Sequence, residues 1–316
     1  MNAYTGRVTL PIEKGMEKEI LELVSKWGAD AVRDSDGTEF SDEILKMNFE
    51  VYSTLCLIRE DNEWAKENRD CLQQIYLMSD YYTAENDVLE IPLMQRYYKE
   101  QFEIDTYHDP KYWWEVIDRT SGEVVDPEFW SFARERGSVI IRNIKKWHRY
   151  TVSFLAYQIW EPISMYNHKT NNWEKEHRLP VDPRHPKARA HLLEVLDKWL
   201  MEHPRTSVVR FTTFFYNFEL IYNEKGEERQ VDWFGYLSCV SPYALEQFQK
   251  EYGYRLRPED FIDKGHYNTP FKNPSKKFLD WMDFNQRFIA EFAAECVERV
   301  HKAGKKAIMF LGDHWA

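Results

Sequence analysis

Apolar residues recur every three to four positions in several stretches of the chain, and each such stretch predicts an amphipathic helix. In "GMEKEILELVSKWG", Met16, Ile20, Leu23, Val24 and Trp27 share one helical face, with Gly28 placed to stop the helix. A second face is made by Ala188, Leu192, Val195, Leu196 and Trp199 in a helix starting near Pro186. "SPYALEQFQKEYGYRL" offers Ser241 as N-cap, Pro242 in the first turn and Gly253 as the stop. Near the end of the chain, Phe284, Phe288, Phe292, Cys296 and Val300 line one side of another helix. Short apolar runs follow three of these helices. "ADAV" comes after the first, "SVVRFTTFFYNF" after the second and "AIMFL" after the last. "TVSFLAYQIW" is a further run of the same type. Helices that lead repeatedly into buried strands predict an α/β fold with a parallel sheet.

Two stretches break this rhythm. Residues Tyr112 to Ile144 contain extended pieces around a Thr120–Ser121–Gly122 turn and predict an antiparallel β insertion. The polar run from Asn167 to Pro186 has no period and predicts a functional loop or lid. No repeat, low-complexity tract or linker divides the chain.

In a parallel α/β barrel, functional groups gather at the carboxyl ends of the strands. Four predicted strand ends carry polar groups. "ADAV" leads to Arg33, Asp34 and Asp36, and "TVSFLAYQIW" to Glu161, Tyr166 and Asn167. "SVVRFTTFFYNF" holds Arg210 within it, with Asn217 and Glu219 towards its end, and "AIMFL" leads to Asp313 and His314. Each has a plainer reading. Asp36–Gly37 is a strong turn dipeptide, the arginines could be ion-paired to neighbouring acids, and Asp313 could cap a helix. Together, carboxylates, arginines and aromatics suit a carbohydrate better than a nucleotide.

Composition sharpens this picture. The 316 residues are 43% hydrophobic, enough for a large core or two smaller ones, and 16% aromatic, which fits ring stacking against sugars as well as core packing. A net charge of −11 disfavours nucleic acid and anionic membranes, while local arginines still permit a phosphate ligand. Cys56, Cys71, Cys239 and Cys296 form no C-x-x-C pair and read as reduced, partly buried thiols. No leader-like N-terminus and no run of about 18 apolar residues is present, which predicts a cytoplasmic protein. Glycine-rich phosphate loops, metal-spaced histidines and a G-x-S-x-G elbow are missing from the sequence, so neither a metal nor a nucleotide cofactor is expected.

The stretches "GRVTLP", "WGADAVRDSDGT", "WHRYTVSFLAYQIW", "MYNH", "VVRFTTFFYNF", "DWFG", "YGYRLRPEDF" and "MFLGDHW" together resemble the galacto-N-biose/lacto-N-biose phosphorylase family, over Gly6 to Trp315. The resemblance implies the N-terminal part of a catalytic (β/α)8 TIM-type barrel, incomplete at its C-terminal side, with an antiparallel insertion at about 112–144. It implies inverting phosphorolysis of a β-galactosyl-1,3-N-acetylhexosamine, or of a galactosyl-rhamnose, with phosphate as nucleophile and substrate and no cofactor. The family's general acid falls on Asp313, and Arg33 and Arg210 match arginines of its sugar and phosphate site. Asn167 matches an asparagine at the acceptor end, and Asp36 is placed at a galactose hydroxyl by its position. The expected partners are the disaccharide and phosphate, with a homodimer in the full-length protein. A β-galactosidase-like hydrolase and an inactive galactoside-binding fragment are the alternatives. Against the hydrolase, "FYNFEL" separates Asn217 from Glu219 by Phe218, where related hydrolases carry an adjacent Asn-Glu pair.

Overall fold

The computed structural model describes residues 8–12, 15–34, 40–161, 176–212, 215–216, 219–232, 235–269 and 271–309. They fall into two compact units, one of residues 1–61, 189–215 and 289–316, the other of residues 62–188 and 216–288.

The first unit holds five parallel strands: β1 (Thr9–Pro11), β2 (Ala31–Arg33), β3 (Glu50–Leu55), β4 (Val208–Phe211) and β5 (Lys306–Met309). They lie side by side in the order in which the chain makes them. Parallel neighbours in sequence order need a return connection on one face, and helices supply it. The helices are α1 (Glu17–Trp27) between β1 and β2, α2 (Pro186–Glu202) before β4 and α3 (Lys276–Lys302) before β5. This is the sequential βα plan of a (β/α)8 barrel, carried through five strands.

Alternation assigns the two faces of the sheet. Leu10, Val32 and Val51 are paired in register and pack with Ile20 of α1, Ile12 and Ile44 in one buried cluster. That face is covered by helix. The intervening positions, Arg33 with Tyr52, and Thr54 with Arg210 and Ile308, occupy the opposite face. Gly28 closes α1 with φ +66, its N–H bonded to the Val24 carbonyl, as its sequence position predicts. Met16 and Trp27, expected on the buried face, are exposed beside the two ends of that helix, in which only Ile20 is buried.

The second unit is built on antiparallel strands. Arg149–Gln158 is its centre, pairing with Gln74–Met78, Tyr82–Thr83, Phe102–Ile104 and Glu115–Asp118. A second sheet joins Val88–Pro92, Ser138–Arg142 and Trp130–Ala133. Antiparallel pairing therefore extends on both sides of the expected 112–144 stretch. The predicted turn is present, with the Asp118 carboxylate accepting from the N–H groups of Thr120 (2.9 Å) and Ser121 (3.2 Å). Ser241 caps the helix Pro242–Tyr252 by accepting from the Ala244 N–H at 3.2 Å, and Gly253 ends it at φ +78.

Two sequence expectations are corrected here. "TVSFLAYQIW" is not a barrel strand. It is covered on both faces, and double-sided burial gives an antiparallel centre strand the same continuous apolar run as a parallel one. The expected lid also differs at its C-terminal part, the residues before it lying outside the described set. Leu179, Val181 and Asp182 are buried, and Gln73 bonds the Pro180 and Val181 carbonyls through its backbone N–H (2.9 Å) and its side-chain amide (3.1 Å). All four cysteines are buried and unbridged. Among the described residues, no helix is long and apolar enough to cross a membrane, and no cluster of three or more His, Cys, Asp or Glu could hold a metal ion.

Candidate functional site

Arg33 and Arg210 come from β2 and β4, strands separated by β3, and both side chains belong to the face turned away from the helices. The sequence placed Arg33 at the end of one strand and Arg210 within another; the pairing register puts them on one surface. Between them, Thr54 of β3 is level with Arg210.

Two neutral oxygens accept from Arg210. Its Nη1 donates to the Thr54 hydroxyl at 2.9 Å and to the Asp34 backbone carbonyl at 3.2 Å. Burial presses the guanidinium pKa below its ordinary value, and the positive charge of Arg33 adds to this, with Asp34 opposing. Two guanidinium groups on one partly buried surface have the chemistry to receive an oxyanion.

Asp34 follows β2 directly and is buried. Its Oδ1 accepts the Thr54 N–H at 2.6 Å, and the Thr54 hydroxyl reaches the Asp34 carbonyl at 3.5 Å. Burial pushes its carboxyl pKa up to about 6, against hydrogen bonds from Thr54 and the charges of Arg210 and His203. The sequence showed Asp34 as one of several acids after a strand and did not single it out. Thr54 carried no local signal beyond its alternation with Tyr52 and Glu50. Both become visible only once β3 and β4 are paired.

Asp36, Asn167 and Asp313 lie outside the described residues, as do Asn217 and His314. Glu161 and Glu219, which the sequence placed after barrel strands, belong to the second unit instead. The strand containing Arg210 ends at Phe211, and Glu219 opens a separate hairpin, Glu219–Tyr222 with Glu228–Asp232. Glu219 is fully buried, and among the described residues neither of its carboxylate oxygens has a hydrogen-bond partner. Its pKa is driven well above the ordinary range by burial first, then by Asp232 and Glu161. The Gln158 amide offsets part of this without reaching hydrogen-bond geometry to either oxygen.

Residues 6–316 match the family described as the lacto-N-biose phosphorylase N-terminal TIM barrel domain. A 1,3-beta-galactosyl-N-acetylhexosamine phosphorylase of Lachnoclostridium phytofermentans is 49% identical over 313 residues, covering 98% of this chain and 43% of the relative. One of the same name from Bifidobacterium longum subsp. longum is 46% identical over 312 residues, covering 98% and 42%. A D-galactosyl-beta-1->4-L-rhamnose phosphorylase of Lachnoclostridium phytofermentans is also 46% identical over 312 residues, covering 98% and 43%. The chain thus spans less than half the length of these curated relatives.

Proposed function

From the premise that this chain belongs to the lacto-N-biose phosphorylase N-terminal TIM barrel family, we propose that it forms part of an inverting phosphorylase of β-galactosides. The substrate is a β-galactosyl-1,3-N-acetylhexosamine, and the products are α-galactose 1-phosphate and the free N-acetylhexosamine. The observation that carries the reading is the placement of Arg33 and Arg210 on one face of the parallel sheet, suited to a phosphate or sugar oxyanion.

In this reading, phosphate attacks the anomeric carbon from the face opposite the departing sugar, which converts β to α. Asp313 donates a proton to the glycosidic oxygen as it leaves. An inverting hydrolase needs a second carboxylate to activate water; here phosphate is already the nucleophile. Arg33 and Arg210 hold the phosphate and the galactose near it, Asp36 a galactose hydroxyl, and Asn167 the acceptor sugar. Neither metal nor organic cofactor has a step to perform. A second reading replaces the N-acetylhexosamine by rhamnose, and it is favoured by a relative of that name at 46% identity, the same as one of the N-acetylhexosamine enzymes.

The test is to incubate the full-length protein with phosphate and galactosyl-β-1,3-N-acetylglucosamine, galactosyl-β-1,3-N-acetylgalactosamine or galactosyl-β-1,4-rhamnose and identify the products. Phosphate-dependent α-galactose 1-phosphate is expected, with the first two substrates preferred. Release of free galactose without phosphate would make the protein a hydrolase and sink the reading.

A further inference from the structure

The Arg210 guanidinium donates to the backbone carbonyl of Asp34 and to the hydroxyl of Thr54, while the Asp34 carboxylate takes the Thr54 N–H. Thr54 therefore touches both partners, through its N–H on one side and its hydroxyl on the other. Two neutral dipoles thus help to aim Arg210, and the Asp34 acid stands beside it as a buried counter-charge.

We propose that Asp34 is a positioning residue for Arg210, aiming the guanidinium together with Thr54 and giving up its negative charge to a proton when an oxyanion binds there. This rests on the reading of Arg210 as part of the oxyanion site. Binding a dianion beside an ionised carboxylate is unfavourable, so the bound state favours neutral Asp34, and by linkage low pH favours binding. Burial raises the Asp34 carboxyl pKa to about 6, within the pH range of the binding test below. Among the described residues, the charges felt at Asp34 are Arg210 of β4 and His203, which follows α2, while Arg33 adjoins it in the chain. His203 is anchored by stacking on Trp199 at 4.1 Å and by contact of its Nδ1 with the Trp199 carbonyl at 2.8 Å. The effect of this neighbour must be separated from that of Asp34 by experiment.

Sulfate is the probe, because it remains a dianion throughout pH 5–8 whereas phosphate does not. Its binding to the full-length protein is measured by calorimetry, and phosphorolysis by the same preparation is measured separately. For the unaltered protein, sulfate affinity is expected to fall about tenfold from pH 5 to pH 7.5, the usual size of a coupling between adjacent sites. Asp34→Asn keeps the bond to the Thr54 N–H and removes the charge. It should bind sulfate with a flat pH profile near the tight, low-pH affinity. Thr54→Val should weaken binding at every pH and raise the KM for phosphate more than it lowers kcat, and Thr54→Ser should restore both. The inference is overturned if Asp34→Asn retains the pH slope, or if the slope vanishes in His203→Gln instead. Should Asp34→Asn fail to fold, equal sulfate affinity in Thr54→Val and Thr54→Ser overturns it. An absence of phosphorolysis by a protein that shows these sulfate profiles would sink the phosphorylase reading and leave the oxyanion site standing.

Discussion

At the scale of single residues, the sheet gathers charges that its own folding does not need. Asp34 shows this in its energetics. An acid whose pKa rises from 3.8 unfolded to about 6 folded is tolerated best when neutral. Its contribution to stability is full below pH 4 and declines as the pH passes through about 6. At about 1.4 kcal/mol per pKa unit, the loss approaches roughly 3 kcal/mol. Asp34→Asn should therefore be more stable than the unaltered protein at pH 7.5 and indistinguishable at pH 4, by denaturant melts at both values; equal stability at pH 7.5 would falsify this account. For Asp313 the prediction concerns rate. Asp313→Asn retains shape and cannot deliver a proton, so turnover of the full-length enzyme should drop by ~10² or more with substrate binding kept, as steady-state kinetics and calorimetry would show. Near wild-type turnover would remove it from the mechanism. Arg33 and Arg210 were legible in the sequence because each is a charge in or beside an apolar strand. The partnership of Arg210 with Thr54 was not, since it joins positions 156 residues apart.

Among the elements, the helices were legible and the strands much less so. Gly28, Ser241 and Gly253 act as the caps their positions suggested, because capping depends on a few adjacent residues. The barrel strands span three to six residues, too short for alternation to stand out, and their faces became clear only through pairing. Arg149–Gln158 misled for the opposite reason, its burial on both sides hiding the alternation altogether. The Glu219–Asp232 hairpin carries a prediction of its own. These two acids are direct cross-strand partners, a placement that opposes their both being ionised. Glu219 folds as a neutral acid, so its favourable contribution is present at low pH and is lost as the pH rises towards its elevated pKa. Glu219→Gln should abolish that loss and raise Tm at pH 8.5 while changing little at pH 5. Glu219→Ala should lower Tm at both, by leaving a cavity. If the glutamine variant melts lower than the unaltered protein at pH 8.5, the side chain is ionised and partnered after all.

At the scale of the whole molecule, the five parallel strands among the described residues, lying in chain order, leave β1 and β5 at the ends of the sheet. Pro11 blunts the β1 edge, since it has no N–H to offer a neighbour. Lys306–Met309 has no such guard, and Ile308 is 42% exposed on it. The 316-residue chain expressed alone should accordingly self-associate, and Ile308→Lys should reduce this, as sedimentation velocity would register. A monodisperse, unaltered chain at tens of micromolar would count against β5 as the adhesive edge.

The order of the strands has a temporal consequence as well. β3 and β4 are immediate neighbours in the sheet, yet the chain travels from Leu55 to Val208 before the second of them exists. Searching for so remote a partner is slow, and little of the contact energy is returned until the search succeeds. The intervening antiparallel pairs are far more local, with Glu115–Asp118 meeting Glu123–Val124 across a single turn. Pulse-labelled hydrogen exchange during refolding should show amides of Ser138–Arg142 and Glu115–Asp118 protected well before those of Val208–Phe211. On a ribosome the same asymmetry means that β1, β2 and β3 wait, unpaired on one flank, while some 150 residues are synthesised. That waiting interval, more than any residue of the finished site, is where such a chain is most open to capture by a chaperone or by another copy of itself.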